Sequence, residues 1–144
     1  MWRGLLLSIL LAGCVPLPPT PQDIQAKKFE RVPDKSVIYV IRNNPDASPR
    51  GTTLVVDDAM GITTFAGTYI RWEVAPGAHT IRGLGADSGA TRVNSEAGRI
   101  YYVLQDTSGG RTPMSRFQML NEQQGQAAVL RSVRVVTGQP EFGP

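Results

Sequence analysis

Two stretches of the chain are apolar at odd and even positions alike, a pattern that indicates strands covered on both faces. Residues 36–42 read Ser-Val-Ile-Tyr-Val-Ile-Arg, and residues 99–105 read Arg-Ile-Tyr-Tyr-Val-Leu-Gln. Their β-branched and aromatic side chains favour extended backbone, and the lack of alternation predicts burial on both sides. We expect the first of the two to be a central strand.

Residues 68–74 give the clearest alternation of the chain, which predicts one core-facing side and one wetter side. Pro76 and Gly77 then suit a type II turn, so we expect residues 79–84 to return antiparallel as a hairpin. In that register Trp72 lies opposite Ile81. The expected core positions are Ile70, Trp72 and Val74, and the wetter positions are Tyr69, Arg71 and Glu73.

Shorter apolar segments separated by turn residues predict the remaining strands. Residues 52–56 and 62–65 flank Asp57-Asp58-Ala59-Met60-Gly61, which is a hairpin pattern. We expect an edge strand at 91–95, a further strand at 114–119 and a closing strand at 133–136. The predicted fold class is mainly β, a small antiparallel β-sandwich of about seven or eight strands with one C-terminal helix.

The C-terminal helix is expected near residues 121–132. Asn121 is a favoured N-cap residue, and Gln124 stands three positions later, where a capping box places it. Alanine and leucine follow, and both favour a helix. Gly125 opposes it, because glycine in a helix interior costs about 1 kcal/mol relative to alanine.

The chain begins with Arg3 and a short apolar run, followed by Leu11-Ala12-Gly13-Cys14. The run is shorter than a bilayer-spanning helix needs and fits a secretory signal over residues 1–13. The tetrapeptide resembles the lipobox of bacterial lipoproteins, which implies cleavage between Gly13 and Cys14 and acylation of Cys14. Two or more acyl chains anchor a protein stably to membrane lipid without spanning the bilayer. An ordinary secretory signal with a chance cysteine is the alternative.

The residue after the cysteine indicates which of the two membranes a lipoprotein would occupy. In enterobacterial lipoproteins an aspartate there favours the inner membrane, and this chain has Val15. The resemblance therefore implies a lipid-anchored protein of the cell envelope, on the outer membrane and facing the periplasm.

Proline spacing sets the expected domain organisation. Pro16, Pro18, Pro19 and Pro21 favour an extended path, so residues 14–34 are expected to be the lipidated cysteine and a Pro-rich tether. Within it, residues 22–31 allow one or two helical turns, with Ile24 and Phe29 packing back on the domain. The β-sandwich-like domain is expected over 35–136 and a tail over 137–144.

Composition narrows the function classes. Arg3 is the only charged residue in 1–13, so the 15 basic residues of the full chain become 14 against 12 acidic ones. This balance argues against a nucleic-acid partner, which needs a clustered basic surface. Cys14 is the only cysteine, which excludes an intrachain disulfide and a thiolate-rich metal site. We predict no cofactor.

Four segments stand in a recognisable order and spacing: Ser36-Val37-Ile38-Tyr39-Val40-Ile41-Arg42, Gly67-Thr68-Tyr69, Val74-Ala75-Pro76-Gly77-Ala78-His79 and Gly98-Arg99-Ile100-Tyr101-Tyr102-Val103. Together they resemble the bacterial domain-of-unknown-function family 2846, over about residues 34–106. Residues 120–130 resemble the helix that often follows. The resemblance implies a β-sandwich, often carried behind a lipoprotein signal, and it transfers no catalytic residue.

Candidate chemistry depends on His79, the only histidine. A hydrolase would need it as a base beside Glu73 and a serine such as Ser88 or Ser95. The chain has no Gly-x-Ser-x-Gly elbow, paired-histidine motif or phosphate-binding glycine loop, which favours a histidine that hydrogen-bonds to backbone beside the turn. Asp57-Asp58, even with Asp106, offers fewer carboxylates than a calcium loop, so a solvated turn and no metal are expected.

Tyr69, Arg71, Glu73 and Arg82 are expected to project from the wetter hairpin face as an interaction surface. Interfaces are enriched in tyrosine and arginine, although an ordinary exposed sheet has the same composition. Such a surface suits an envelope protein partner or an anionic glycan. Three classes remain: a non-catalytic accessory or protein-interaction domain, which we favour, a module that binds peptidoglycan or another envelope glycan, and an envelope hydrolase using His79.

Overall fold

The computed structural model describes residues 18–43, 48, 50–85, 87–109, 111 and 113–134. The predicted signal, the Gly13–Cys14 cleavage point and the 137–144 tail lie outside these residues. Within them the protein is mainly β, with two sheets and a C-terminal helix, which confirms the expected fold class. The elements are α1 (Pro21–Ala26), β1 (Ser36–Arg42), β2 (Thr52–Val56), β3 (Met60–Thr64), β4 (Thr68–Val74), β5 (Gly77–Gly83), β6 (Ala90–Ser95), β7 (Ile100–Ser108), β8 (Met114–Leu120), α2 (Glu122–Leu130) and β9 (Val133–Arg134).

The strands form a five-stranded sheet in the order β8-β7-β1-β4-β9 and a four-stranded sheet in the order β3-β2-β5-β6. β1 is central in its sheet, as predicted. Most neighbouring strands are antiparallel, as expected, but two pairs are parallel, β1 with β7 and β4 with β9. Such pairings join segments that are distant in the chain, and local hydrophobic patterns do not specify them.

β1 is buried on both faces because it separates two hydrophobic cores. Ile38 and Val40 face the four-stranded sheet and pack in the core between the sheets. Tyr39 and Ile41 face the opposite way, into an outer core that α1 and α2 cover, where Val129 of α2 joins them. The unbroken apolar run of β1 therefore reflects a three-layer arrangement of sheet, sheet and helices.

α1 lies in the segment that the sequence placed in a tether. Thr20 caps the helix by accepting a hydrogen bond from the Asp23 N–H. Ala26 is buried in the outer core, and Phe29 packs against it as expected. Ile24 was expected to pack as well, but it is 52% exposed. The packed part of the domain thus begins at α1 and not at residue 35.

The predicted hairpin of β4 and β5 is wrong. β4 pairs with β1 and β9, whereas β5 pairs with β2 and β6. The chain crosses from one sheet to the other at Ala75 and Pro76, so this segment is a corner of the sandwich. Trp72 and Ile81 are consequently not cross-strand neighbours, although both pack in the core between the sheets.

Several other local predictions are confirmed, and of the closing strand expected at 133–136 the described residues contain Val133–Arg134 as β9. β2 and β3 form the expected hairpin, β6 is an edge strand, and β8 follows β7. α2 has the predicted capping box: Asn121 Oδ1 accepts from the Gln124 N–H at 2.9 Å, and Gln124 Oε1 accepts from the Asn121 N–H at 3.3 Å. Neither helix of the described residues is long and apolar enough to cross a membrane.

Candidate interaction surface

Tyr69 does not lie on a surface. Its side chain is fully buried in the outer core, where its hydroxyl donates to Asp23 Oδ1 at 2.6 Å. The alternation of β4 is correct, but the face expected to be wetter is the one that α1 covers. A tyrosine in that position packs under the helix, which removes it from the expected interaction surface.

Arg71 and Glu73 are next to each other on that same face, where the cover of α1 ends. Arg71 Nη1 donates to Glu73 Oε1 at 2.6 Å, and Arg71 Nε donates to the Tyr39 hydroxyl at 3.2 Å. Burial opposes the charge of the guanidinium, but its hydrogen bonds to Glu73 and Tyr39 outweigh this and raise the pKa of Arg71. Arg71 Nη2 has no hydrogen-bond partner among the described residues, so it can donate to a ligand.

A cleft of about 370 Å³ opens beside this pair, between α1, the segment that follows it and β4. Glu30 Oε2 accepts from Gln25 Nε2 at 2.7 Å along one wall. Groups of both charge signs and two amides line the cleft. Such a lining suits a polar partner with carboxylate, hydroxyl or amide groups. The lining residues are Pro21, Gln22, Gln25, Ala26, Glu30, Arg31, Val32, Arg71 and Glu73.

Arg82 lies elsewhere. It is on β5 in the four-stranded sheet, and its Nε donates to Asp58 Oδ1 at 2.9 Å. The structure therefore brings Arg71 and Glu73 together and separates them from Arg82. The sequence did not predict the lining residues of α1 and of the segment after it as part of a site, because residues 14–34 were assigned to the tether. Thr20 followed by Pro21 was the available signal, since Thr suits an N-cap and Pro the first helical position.

His79 is held on both sides by oxygen atoms. Its Nδ1 lies 2.7 Å from Asp57 Oδ2, and its Nε2 lies 2.7 Å from the Ala75 carbonyl oxygen. Both oxygens are acceptors, so both nitrogens can donate only when the imidazole is protonated. Burial of the ring opposes protonation, but the hydrogen bonds and the charge of Asp57 outweigh it and raise the pKa of His79 above its usual 6.5. The ring joins the β2–β3 turn to the corner before β5.

Asp57 is the other half of this contact. Its Oδ1 accepts from the Thr80 N–H at 2.7 Å. Burial alone would raise the pKa of Asp57, but the hydrogen bonds from His79 and Thr80 and the charge of His79 lower it below its usual 3.8. Asp57 and Asp58 both have positive φ, 49° and 55°, as a type I′ turn requires.

The raised pKa of His79 predicts a pH-dependent stability. The contribution of the ion pair is complete below the usual histidine pKa of 6.5 and is lost as the pH rises through the higher pKa of the folded state. We expect the free energy of unfolding of the wild type to exceed that of His79→Gln by more at about pH 6 than at about pH 9. Urea titrations of both proteins over this range test the expectation. Because the chain has no other histidine, equal pH profiles of the two proteins would contradict it.

No three His, Cys, Asp or Glu side chains of the described residues lie close enough to share a metal ion. Asp57 and Asp58 are instead engaged by His79 and Arg82. Asp106 lies on β7, opposite Arg116 of β8.

No family model matches the chain, and no curated protein is found to be similar to it.

Proposed function

We propose that the protein is a lipid-anchored lipoprotein of the cell envelope whose domain is a non-catalytic accessory module that contacts another envelope protein. The observation that carries the proposal is Leu11-Ala12-Gly13-Cys14 at the end of a short apolar run. The acyl chains on Cys14 would hold the domain at the outer membrane, facing the periplasm. The proposal includes the resemblance of four segments within residues 34–106 to the domain-of-unknown-function family 2846, although no family model matches the chain.

The packing of α1 supports the proposal that the partner binds near the membrane surface. Because α1 begins at Pro21 and packs on the sheet, only six residues separate Cys14 from the folded domain. Fully extended, six residues span at most about 20 Å. The cleft beside Arg71 and Glu73 is lined by Pro21 itself, so it lies on the side of the domain where the chain arrives from the anchor.

The surroundings of His79 support a binding role over a hydrolytic one. A general base needs a nitrogen that is free to accept a proton. Both nitrogens of His79 are already within 2.7 Å of an oxygen. Ser88 Oγ instead donates to the Leu84 carbonyl and accepts from the Ser115 N–H, and Ser95 Oγ accepts from the Ser36 hydroxyl.

The polar cleft favours a second candidate, the binding of peptidoglycan or another envelope glycan. Arg71 Nη2 and the amides of Gln22 and Gln25 are groups that hydrogen-bond to sugar hydroxyls and carboxylates. This candidate shares the anchor and the location with the first and differs in the partner.

One experiment tests the anchor and the partner together. Cells express the full chain, or Cys14→Ser, with a C-terminal tag and are fed a labelled fatty acid. We expect the wild type to carry the label and to fractionate with membranes, and Cys14→Ser to stay unlabelled as an uncut precursor. From gently solubilised and crosslinked envelopes, the wild type should recover a stoichiometric companion protein, identified by mass spectrometry against untagged cells.

Each result decides a separate point. Label on Cys14→Ser would contradict the lipobox assignment. Recovery of the wild type alone would reject the accessory role and favour the glycan candidate. That candidate predicts sedimentation with purified sacculi, which Arg71→Ala would weaken and the distant Arg82→Ala would leave unchanged.

A further inference from the structure

β3 is an edge strand, and in the described part of the chain no strand pairs with its outer side. Open edges present unpaired backbone N–H and C=O groups to other chains, and proteins usually protect them with charged residues, proline or a bulge. Residues 60–64 read Met-Gly-Ile-Thr-Thr, with neither charge nor proline. All five residues pair with β2 in an uninterrupted register. The usual protections are therefore missing along β3.

The other edge strands of the described structure differ from β3. β6 contains Arg92 and β8 contains Arg116, and both arginines are exposed. These two edges also lie beside each other and close one side of the sandwich, where the Gly89 N–H donates to the Ser115 carbonyl at 2.7 Å. β9 extends over only Val133–Arg134. β3 is thus the edge of the described strands that is long, uncharged and open.

An uncharged surface adjoins this edge. Strand alternation places Gly61 and Thr63 on the outer face beside Thr53, whose hydroxyl lies 3.3 Å from that of Thr63. Phe65 follows β3 and is 51% exposed. A strand added to β3 would cover part of this surface.

We propose that β3 pairs antiparallel with β3 of a second copy of the chain, which joins two four-stranded sheets into one continuous sheet across a two-fold axis. In such a pair each residue faces itself or a near neighbour from its own strand, so any charge would meet a like charge. Arg92 and Arg116 would impose that repulsion on β6 and β8, whereas β3 contains no charge. The absence of charge therefore favours β3 as the self-pairing edge. Gly61 and Thr63 are small enough for close approach, and Phe65 of each copy comes to the contact.

Light scattering on the purified full chain in mild detergent, over a range of protein concentrations, measures the association. We expect the wild type to form a dimer as concentration rises and Thr63→Lys to raise the dimer dissociation constant about tenfold or more, because two lysines would meet at the contact. The matched control is Asn94→Lys, an exposed site on the β6 edge of the same sheet, which should dimerise like the wild type.

Crosslinking locates the contact. A short bifunctional thiol reagent should join two chains of Thr63→Cys and not of Asn94→Cys, with the wild type giving the background from Cys14. A wild type that is monomeric at every concentration would overturn the proposal. Equal loss of dimer in Thr63→Lys and Asn94→Lys would also overturn it, as would a Thr63→Cys crosslink to a different protein.

Discussion

Replacing Gly125 with alanine is expected to destabilise the domain by about 2 kcal/mol, although alanine is the better helix former. A Cβ on Gly125 would lie 2.1 Å from Tyr102 Cγ and 2.4 Å from Tyr102 Cβ. Tyr102 is 2% exposed, and its ring stacks on that of Tyr39 with the centroids 5.3 Å apart. The ring of Phe29 lies 6.3 Å away on another side. Tyr102 therefore has little space to move.

Helix propensity and steric overlap act in opposite directions, and their balance decides whether Gly125→Ala stabilises or destabilises the domain. Alanine gains about 1 kcal/mol over glycine in a helix interior, whereas overpacking a buried contact costs about 1–3 kcal/mol and sometimes more. The added Cβ would lie 2.4 Å from Tyr102 Cβ, an atom that no side-chain rotation can move, so the steric cost is about 3 kcal/mol, the upper end of that range. The steric cost therefore outweighs the gain in helix propensity.

Urea unfolding followed by circular dichroism measures the effect. Gly61→Ala is the matched control, measured at a protein concentration where the chain is monomeric. A Cβ there would meet only Thr53 Cγ2 at an ordinary 3.5 Å, so we expect no loss of unfolding free energy beyond about 0.5 kcal/mol. If the unfolding midpoint of Gly125→Ala equalled or exceeded that of the wild type, the close packing of α2 on Tyr102 would be contradicted.

Gly125 also shows where sequence reasoning stops. From the sequence, glycine in this helix is only a penalty, and the capping box at Asn121 and Gln124 outweighs it. The helix was predicted correctly for that local reason. The need for glycine comes from Tyr102, a residue of β7 that is remote in the chain, and no helix propensity encodes it.

For the strands too, local sequence predicts some features, and contacts with distant residues determine the others. β1 could be predicted as central because burial on both faces leaves an unbroken apolar run. The hairpin of β4 and β5 was predicted from Pro76 and Gly77, but turn chemistry alone does not distinguish a hairpin from a crossing between sheets. The distinction depends on β1, which takes the place beside β4 that the hairpin would give to β5.

Buried polar residues were the least predictable feature. Arg42 ends the apolar run of β1, where a cation is usually solvated, yet it is fully buried. Its Nη1 donates to the Thr64 carbonyl at 2.8 Å and its Nη2 to the Ser48 carbonyl at 2.6 Å. A buried charge needs compensating hydrogen-bond partners. The partners of Arg42 belong to other segments of the chain, so the sequence of β1 alone does not reveal them.

The sequence predicts the candidate interaction surface only in part, because that surface also depends on contacts between segments that are distant in the chain. Arg71 and Glu73 were correctly placed together by strand alternation. Tyr69 was assigned to the same open face because the helical turns expected within residues 22–31 were not placed over β4. Once α1 covers that face, Tyr69 becomes a core residue, and Arg71 lies where the cover ends. The position of one short helix therefore makes Tyr69 a core residue and places Arg71 at the border of the covered face.

Removing the Asp23 carboxylate is the strongest test of that helix. Asp23 is 2% exposed; its Oδ2 lies 3.0 Å from Lys27 Nζ, and its Oδ1 accepts from the Tyr69 hydroxyl at 2.6 Å. Lys27 Nζ also donates to the Ser132 carbonyl, just after α2, at 2.7 Å. The carboxylate thus links α1 to β4 and, through Lys27, to the end of α2.

We expect Asp23→Ala to lower the free energy of unfolding by about 3 kcal/mol, because it leaves a half-buried ammonium without its counter-charge and removes the closer of the two Asp23 acceptors of the buried Tyr69 hydroxyl. Asp23→Asn should cost less, since the amide oxygen can still accept from Tyr69 while the charge is lost. Glu96→Ala is the control: Glu96 pairs with Arg99 at 3.6 Å on the surface, where such pairs contribute about 0–1 kcal/mol.

Urea unfolding of the three variants ranks their losses of unfolding free energy. The ranking also tests whether α1 is a firm part of the domain. If Asp23→Ala were as mild as Glu96→Ala, α1 would not be a firm part of the domain. The cleft beside Arg71 would then lose one wall, and the connection to Cys14 would lengthen from six residues toward the whole of 14–34. A large loss for Asp23→Ala instead supports a domain that begins at α1 and, if Cys14 carries the anchor, stays within about 20 Å of the membrane.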